Sequence, residues 1–214
     1  MPETRPPIDL DGRTLADLAD QIDARGGPPV DQWHPDHCGD SEMRIARDGT
    51  WYHQGAAITR PAMVRLFSTV LLREPDGSHV LVTPVEKLTI AVEGTAFRAL
   101  TMTMEGECAE RRIAFGLDSG DAVIAGPTHP LHVTTTEHGP SPRLAVRHGL
   151  EAELARSLYY ELAEIALAEA NDPPGIWSDG AFFALDPQSS PPQSSPSKSS
   201  PSKSSRPQSS RPPA

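Results

Sequence analysis

Trp51-Tyr52-His53-Gln54-Gly55 followed by Ile58-Thr59-Arg60-Pro61, and Ala145-Val146-Arg147-His148-Gly149 followed by Leu154-Ala155-Arg156-Ser157, are the two stretches that decide the fold. Each reads as a strand, a glycine, an aliphatic residue two before an arginine, and then a helix. The helix that follows carries Val64, Leu66 and Val70 in the first stretch and Tyr160, Leu162 and Ala166 in the second. Five residues separate glycine from arginine in one and seven in the other, so one stretch holds a two-residue insertion. Taken as a repeat, they divide the chain into two α+β units with Arg60 and Arg156 in equivalent places.

Outward from the first stretch, Met43 and Ile45 alternate with polar neighbours, Asp48-Gly49 supplies a turn, and Trp51 and His53 continue the alternation, which is a hairpin pattern. Pro61 suits the first turn of a helix, where its missing N–H leaves no bond unmade. Met63, Val64, Phe67, Val70 and Leu71 then line one face. The spacing predicts that helix to about residue 70 and a hairpin turning at Pro75-Asp76-Gly77 into His79–Thr83. Lys87–Val92 reads as a strand with Leu88, Ile90 and Val92 inward, and Arg98–Met104 as one with Leu100, Met102 and Met104 inward. Weaker strand patterns lie near 109–115, 121–125, 131–134 and 143–148. Leu158, Tyr159, Leu162, Ile165 and Ala166 form the stripe of a closing helix, stopped by Asn171-Asp172-Pro173-Pro174-Gly175. Trp177, Phe182 and Phe183 fold back onto the body. At the other end, Leu15, Leu18 and Ile22 recur at helical spacing after a cap at Asp11 or Thr14, and Gly26-Gly27-Pro28-Pro29 ends that short helix. The expected fold is therefore α+β: two repeated units with mainly antiparallel strands, over residues 11–105 and 106–186, after a flexible 1–10.

The remaining residues, Pro187–Ala214, contain 12 Ser, 8 Pro and 3 Gln, four cations and no acid. Such a composition buries too little apolar surface to offset its ordering entropy, so 187–214 reads as a disordered tail. Without it, 15 cations face 29 acids, a net charge of −14. That balance argues against a nucleic-acid surface, which needs clustered Lys and Arg. No apolar run approaches the roughly 18 residues of a membrane helix, and the first ten residues have no apolar signal core. Two cysteines, Cys38 and Cys108, are too few for a disulfide scaffold and point to a reduced cytoplasm. Cys108 reads as a small buried group in a strand.

Several residues could carry chemistry. Lys87 is the one lysine of the first 186 residues, against 14 arginines, and follows Glu86 at a strand start. An ammonium there can bind phosphate or, with its pKa lowered by burial, act as a nucleophile. Arg60 and Arg156 each precede a helix, whose unpaired N–H groups favour an anion; the plainer role is pairing with one of the many acids. His34, His37 and Cys38, and separately His129 and His132, have ligand-like spacing, but no complementary Cys-x-x-Cys exists, and they read as loop histidines. Nucleophile-elbow, phosphate-loop and dinucleotide fingerprints are missing. No catalytic residue, metal or cofactor is assigned.

The string Trp33-x-Pro35-x-x-Cys38-Gly39-Asp40-x-x-Met43-x-Ile45-x-x-Asp48-Gly49-x-Trp51, its continuation Ile58-Thr59-Arg60-Pro61-x-x-Val64-x-Leu66-Phe67-Ser68, the run Leu81-Val82-Thr83-Pro84-Val85-Glu86-Lys87, and Gly149-Leu150 with Tyr159-Tyr160-Glu161-Leu162 resemble the bacterial family known as domain of unknown function 1285. The resemblance covers roughly residues 12–184. It departs after Val92, where Glu93-Gly94-Thr95-Ala96-Phe97 stands instead of an acid, a proline and a phenylalanine. It implies two structural repeats of mixed α and β and a role in signalling or ligand sensing, and it brings no catalytic residues. The leading expectation is a non-enzymatic regulatory or sensor protein that binds a small anionic ligand or a protein partner between its repeats, through Arg60, Arg156, Lys87, Glu86 and His53. The alternative is an enzyme using Lys87, Glu86 and a histidine such as His53 on a phosphate- or carbonyl-containing substrate. Neither nucleic acid nor membrane is expected as a partner.

Overall fold

The computed structural model describes residues 27–137 and 139–186. The short helix expected over 11–26 and the tail at 187–214 lie outside the described residues. The first unit runs through β1 (His37–Ile45), β2 (Trp51–His53), β3 (Ala56–Ala57), helix α1 (Pro61–Thr69), β4 (Leu71–Arg73), β5 (His79–Val82) and β6 (Glu86–Val92). The second runs through β7 (Phe97–Glu105), β8 (Arg112–Leu117), β9 (Ala122–Ile124), β10 (Leu131–Thr136), β11 (Gly139–Arg147), β12 (Leu150–Leu154), helix α2 (Arg156–Glu169) and a terminal hairpin, β13 (Gly175–Ser178) and β14 (Ala181–Ala184).

Two six-stranded sheets share one path. The first has the order β3-β2-β1-β6-β5-β4, and the second, read from its β9 edge, β9-β8-β7-β12-β11-β10. Each is a pair of three-stranded antiparallel meanders joined at the centre by a parallel pairing of its first and last strands, β1 with β6 and β7 with β12. The fold is thus α+β with two repeated units, and parallel pairing is confined to the middle of each sheet.

The duplication lies in the strands and not in the helices. Helix α1 connects the meanders of the first sheet, whereas α2 follows the last strand of the second. Arg60 therefore comes after an edge strand and Arg156 after a central one, so the matched strand–glycine–arginine–helix stretches are not equivalent in the shared path. The boundary also moves from the expected residue 105. Strand β7 bonds to β8 and β12 in the second sheet, so the strands of the two units divide between Val92 and Phe97.

The expected inward set of β7 is wrong at one position for a local reason. Phe97 and Ala99 are fully buried, but the register with β8 shifts between Ala99 and Thr101, and Leu100 is left 47% exposed. An extra residue in one strand reverses the faces beyond it, which brings Met102 and Met104 back against the core. Cys108, expected in a strand, sits instead in a 3₁₀ turn (Cys108–Glu110) and is exposed.

One continuous core spans both units. Met43, Ile45, Trp51, Leu71, Leu81 and Ile90 of the first sheet cluster with Phe97, Ile113, Phe115, Leu144 and Leu150 of the second, and with Leu158 and Leu162 of α2. Helix α1 lays Val64 and Phe67 against it, with Phe67 stacked on Trp51 at 6.3 Å. Ser178, completely buried, fixes the terminal hairpin: its hydroxyl donates to the Ala125 carbonyl at 2.7 Å and accepts the Ile113 N–H at 3.0 Å.

Candidate functional site

The residues singled out by sequence do not gather at one place. Adjacent strand residues point to opposite faces, so Glu86 and Lys87 diverge. Register carries His53 through Met43 to Ile90, an odd number of residues from Lys87, so His53 and Lys87 also face opposite ways, roughly 14 Å apart over two strand spacings and three residues along the strand. The Lys87 ammonium donates to Glu74 Oε1 at 3.1 Å. That hydrogen bond, together with the Glu74 charge, raises the Lys87 pKa; a nucleophilic lysine needs the opposite shift. Arg60 is exposed at the N-cap of α1, and its carbonyl accepts the Met63 and Val64 N–H groups at 3.0 and 3.3 Å. Arg156 is exposed in the first turn of α2.

The histidine clusters are likewise dispersed. A ring N–H of His34 donates to the Gln32 carbonyl at 3.1 Å, one of His129 donates to the Ala145 carbonyl at 3.2 Å, and His132 Nε2 lies 3.4 Å from Glu151. Among the described residues, no three His, Cys, Asp or Glu side chains gather as a metal would require.

What the structure does concentrate is cationic side chains along the junction of the two units. The β11–β12 turn places His148 at φ +47° and Gly149 at φ +73°. Two successive positive φ values make the hairpin turn whose twist matches its strands, and histidine tolerates the left-handed region better than most residues. This turn meets β4 of the first unit: the Arg73 N–H donates to the His148 carbonyl at 3.2 Å. A Cβ on Gly149 would stand 3.4 Å from Arg73 Cβ, so the backbone approach is close. Arg73 is exposed and pairs across the β4–β5 hairpin with His79. Burial, and then the Arg73 charge, lower the His79 pKa.

Two other arginines cross the same junction. Arg147 Nη2 donates to the Ser68 carbonyl at 2.9 Å, its Nη1 lies 3.3 Å from Asp121, and its guanidinium stands 5.0 Å over the Phe97 ring. Arg98 Nη1 donates to the Asp48 carbonyl at 3.0 Å. Its backbone N–H donates to Asp118 Oδ1 at 3.1 Å. The protein mass of both units pushes the Asp118 carboxyl up to about 6, and water reaching its exposed side chain blunts that rise. Arg147 and Arg98 are occupied by protein acceptors, which makes them clasps. Arg73, beside His79 and the His148-Gly149 turn, is the exposed one of these three arginines, and its Nη2 would stand 3.7 Å from a Cβ added at Gly77 in the β4–β5 turn.

Sequence reasoning passed over Arg73, Arg98 and Arg147. Arg147 and His148 lie inside the repeated stretch, but their types and spacing carry no pattern that marks a site. No local pattern links Arg73 to a turn that lies 75 residues downstream.

Two duplicated, mixed six-stranded sheets on one core, clasped at a cationic junction, define a two-unit α+β protein with its distinctive surface between the repeats. The chain belongs to the family of domain of unknown function 1285 (DUF1285): its N-terminal domain matches residues 28–95 and its C-terminal domain residues 96–185. It is similar to a DUF1285 family protein from Silicibacter pomeroyi DSS-3, whose crystal structure aligns with a TM-score of 0.70 at 41% identity, covering 78% of this chain and 93% of that one. A DUF1285 family protein from Shewanella baltica OS155 matches at 22% identity and a TM-score of 0.45, over 60% of this chain and 96% of that one. No curated protein matches the chain. Among the described residues, no helix is long and apolar enough to cross a membrane.

Proposed function

We propose that this chain is a non-enzymatic regulatory or sensor protein of the cytoplasm that binds a small anionic ligand between its repeats. The observation that supports this reading is the junction itself. On a body of net charge −14, exposed Arg73 stands beside His79 and against the His148-Gly149 turn of the other unit. An exposed arginine on an acidic protein gives an anion one point of attraction, and an arginine fork suits carboxylate and phosphate geometry. A ligand held there touches both units at once, which is what a sensor requires of its scaffold. The opposed faces of Glu86 and Lys87, and the raised Lys87 pKa, speak against the enzymatic alternative.

The test is a thermal-shift titration with inorganic phosphate, pyrophosphate and short dicarboxylates, run on the parent, Arg73→Ala, Arg60→Ala and Arg156→Ala. Arg60 begins α1 at the β3 edge of the first sheet, while Arg73 lies on its β4 edge. The proposal expects Arg73→Ala to weaken binding about 10- to 150-fold, the worth of one charge-assisted hydrogen bond, and Arg60→Ala to leave it intact. Loss confined to Arg60→Ala or Arg156→Ala would move the site to a helix start.

A further inference from the structure

Arg73 and His79 form one cross-strand pair at the end of the core face of β4 and β5. The Glu74 N–H donates to the Ser78 carbonyl and the Val82 N–H to the Val70 carbonyl, which makes Arg73 and His79 a pair without mutual backbone bonds. Side chains of such a pair start about 4.5–5.5 Å apart at Cβ. Leu71 and Leu81, two residues away, share that face and are buried in the core. On its other side His79 is opposite Ile90 of β6, also in the core. The imidazole is therefore half-buried between an apolar side chain and a cation, while Arg73 is exposed. Among the described residues, no hydrogen bond or ion pair engages either side chain. Other charged groups nearby are engaged or turned away. Glu74 and Lys87 lie on the opposite face and pair with each other. Asp76, in the turn, accepts the N–H and hydroxyl of Ser78. Across the junction His148 is half-buried, and its carbonyl accepts the Arg73 N–H.

We propose that this pair selects a doubly charged oxyanion of the phosphate class, and that His79 takes up a proton as the anion settles on Arg73, so that affinity rises as pH falls. The inference rests on the anion site proposed above and adds its selectivity and its regulation. Two things hold the free ring neutral, burial first and then the Arg73 charge, and both lower its pKa. An anion on the guanidinium cancels the second. A single negative charge does no more, because Arg73 matches it. A dianion leaves one negative charge unmatched beside the ring, which offsets burial as well. The protonated ring is then a second cation for the same ligand. Proton uptake and anion binding are linked, so lowering the pH towards the free ring's pKa strengthens binding.

Sulfate and formate are the probes. Between about pH 5 and 8, where histidine changes charge, sulfate keeps two charges and formate one, whereas phosphate itself titrates. Calorimetric titration of the full chain at several pH values, each in two buffers of different ionisation heat, reads affinity and proton uptake together. Sulfate affinity should rise as pH falls, by up to about tenfold per pH unit, the slope of one linked proton, with net proton uptake. Formate should give a flatter profile and less uptake. His79→Gln should keep sulfate on Arg73, flatten the profile and abolish the uptake, and Arg73→Ala should abolish binding. Sulfate bound through Arg73 with a pH-independent affinity overturns the inference and leaves the anion site standing. So does uptake that survives His79→Gln, or uptake equal for formate and sulfate. Sulfate that does not bind, or binds unchanged in Arg73→Ala, overturns the anion site and the inference with it.

Discussion

Arg111 is 7% exposed and holds the carboxylate of Glu169, the last residue of α2, while Asn171 donates to the other Glu169 oxygen at 3.3 Å. Breaking a buried pair strands one charge without a partner, so Glu169→Ala should cost about 3–5 kcal/mol in urea unfolding. Replacing both residues with apolar groups of similar size should cost far less; equal losses would mean that packing alone sets the effect. Asp118 gives a pH prediction whose sign follows from its raised pKa. Between its ordinary value of 3.8 and about 6, the folded protein binds more protons than the unfolded chain. Stability therefore falls as pH rises through that window. Asp118→Asn keeps an acceptor for the Arg98 N–H and removes the charge, so it should flatten that slope and stabilise the protein at pH 7. Because the side chain is exposed, solvent screening holds the gain to about 1 kcal/mol at most. An unchanged slope would show that Asp118 titrates as it would in water.

Element geometry hangs on two glycines. At Gly49, φ is +86° and an added Cβ would stand 2.6 Å from Asp118 Oδ2, so Gly49→Ala strains the β1–β2 turn and its seat on the second unit together. The expected loss is about 1–3 kcal/mol. At Gly175, an added Cβ would lie 2.6 Å from the Phe183 carbonyl and against the Phe182 ring. Gly175→Ala should cost a similar 1–3 kcal/mol or so through overpacking and open the β13–β14 hairpin, seen as lost amide protection at Ile176 and Trp177. Most of these elements were legible locally. Alternation around Asp48-Gly49 and around Asp76-Gly77 located two hairpins, and Pro61 marked the start of α1. Strand β12 was equally written in Leu150, Ala152 and Leu154, all buried, but its small middle residue hid the alternation. The bulge near Leu100 and the parallel pairings β1–β6 and β7–β12 have no local signature, because they depend on partners distant in sequence. For the same reason the cationic junction stayed hidden: Arg73, Arg98 and Arg147 become neighbours of the opposite unit only when the sheets close on their shared core.

For the whole molecule, one core through both units predicts one cooperative transition. Calorimetry should give a calorimetric enthalpy equal to the van't Hoff enthalpy; two resolved transitions would mean that the units fold separately. Arg147→Ala removes a clasp across the junction and the guanidinium that covers the Phe97 ring, but leaves the core side chains of both sheets in place, so it should lower the melting temperature and leave a single transition. The junction also carries the functional reading, because a ligand there contacts the two repeats together. Amide chemical shifts of the isotopically labelled full chain, followed during a titration with inorganic phosphate, test this most directly. The account predicts saturable shifts centred on Arg73, His79, His148 and Gly149 that vanish in Arg73→Ala. Shifts centred on Arg60 or Arg156, or no saturable shifts at any of these positions, would contradict it.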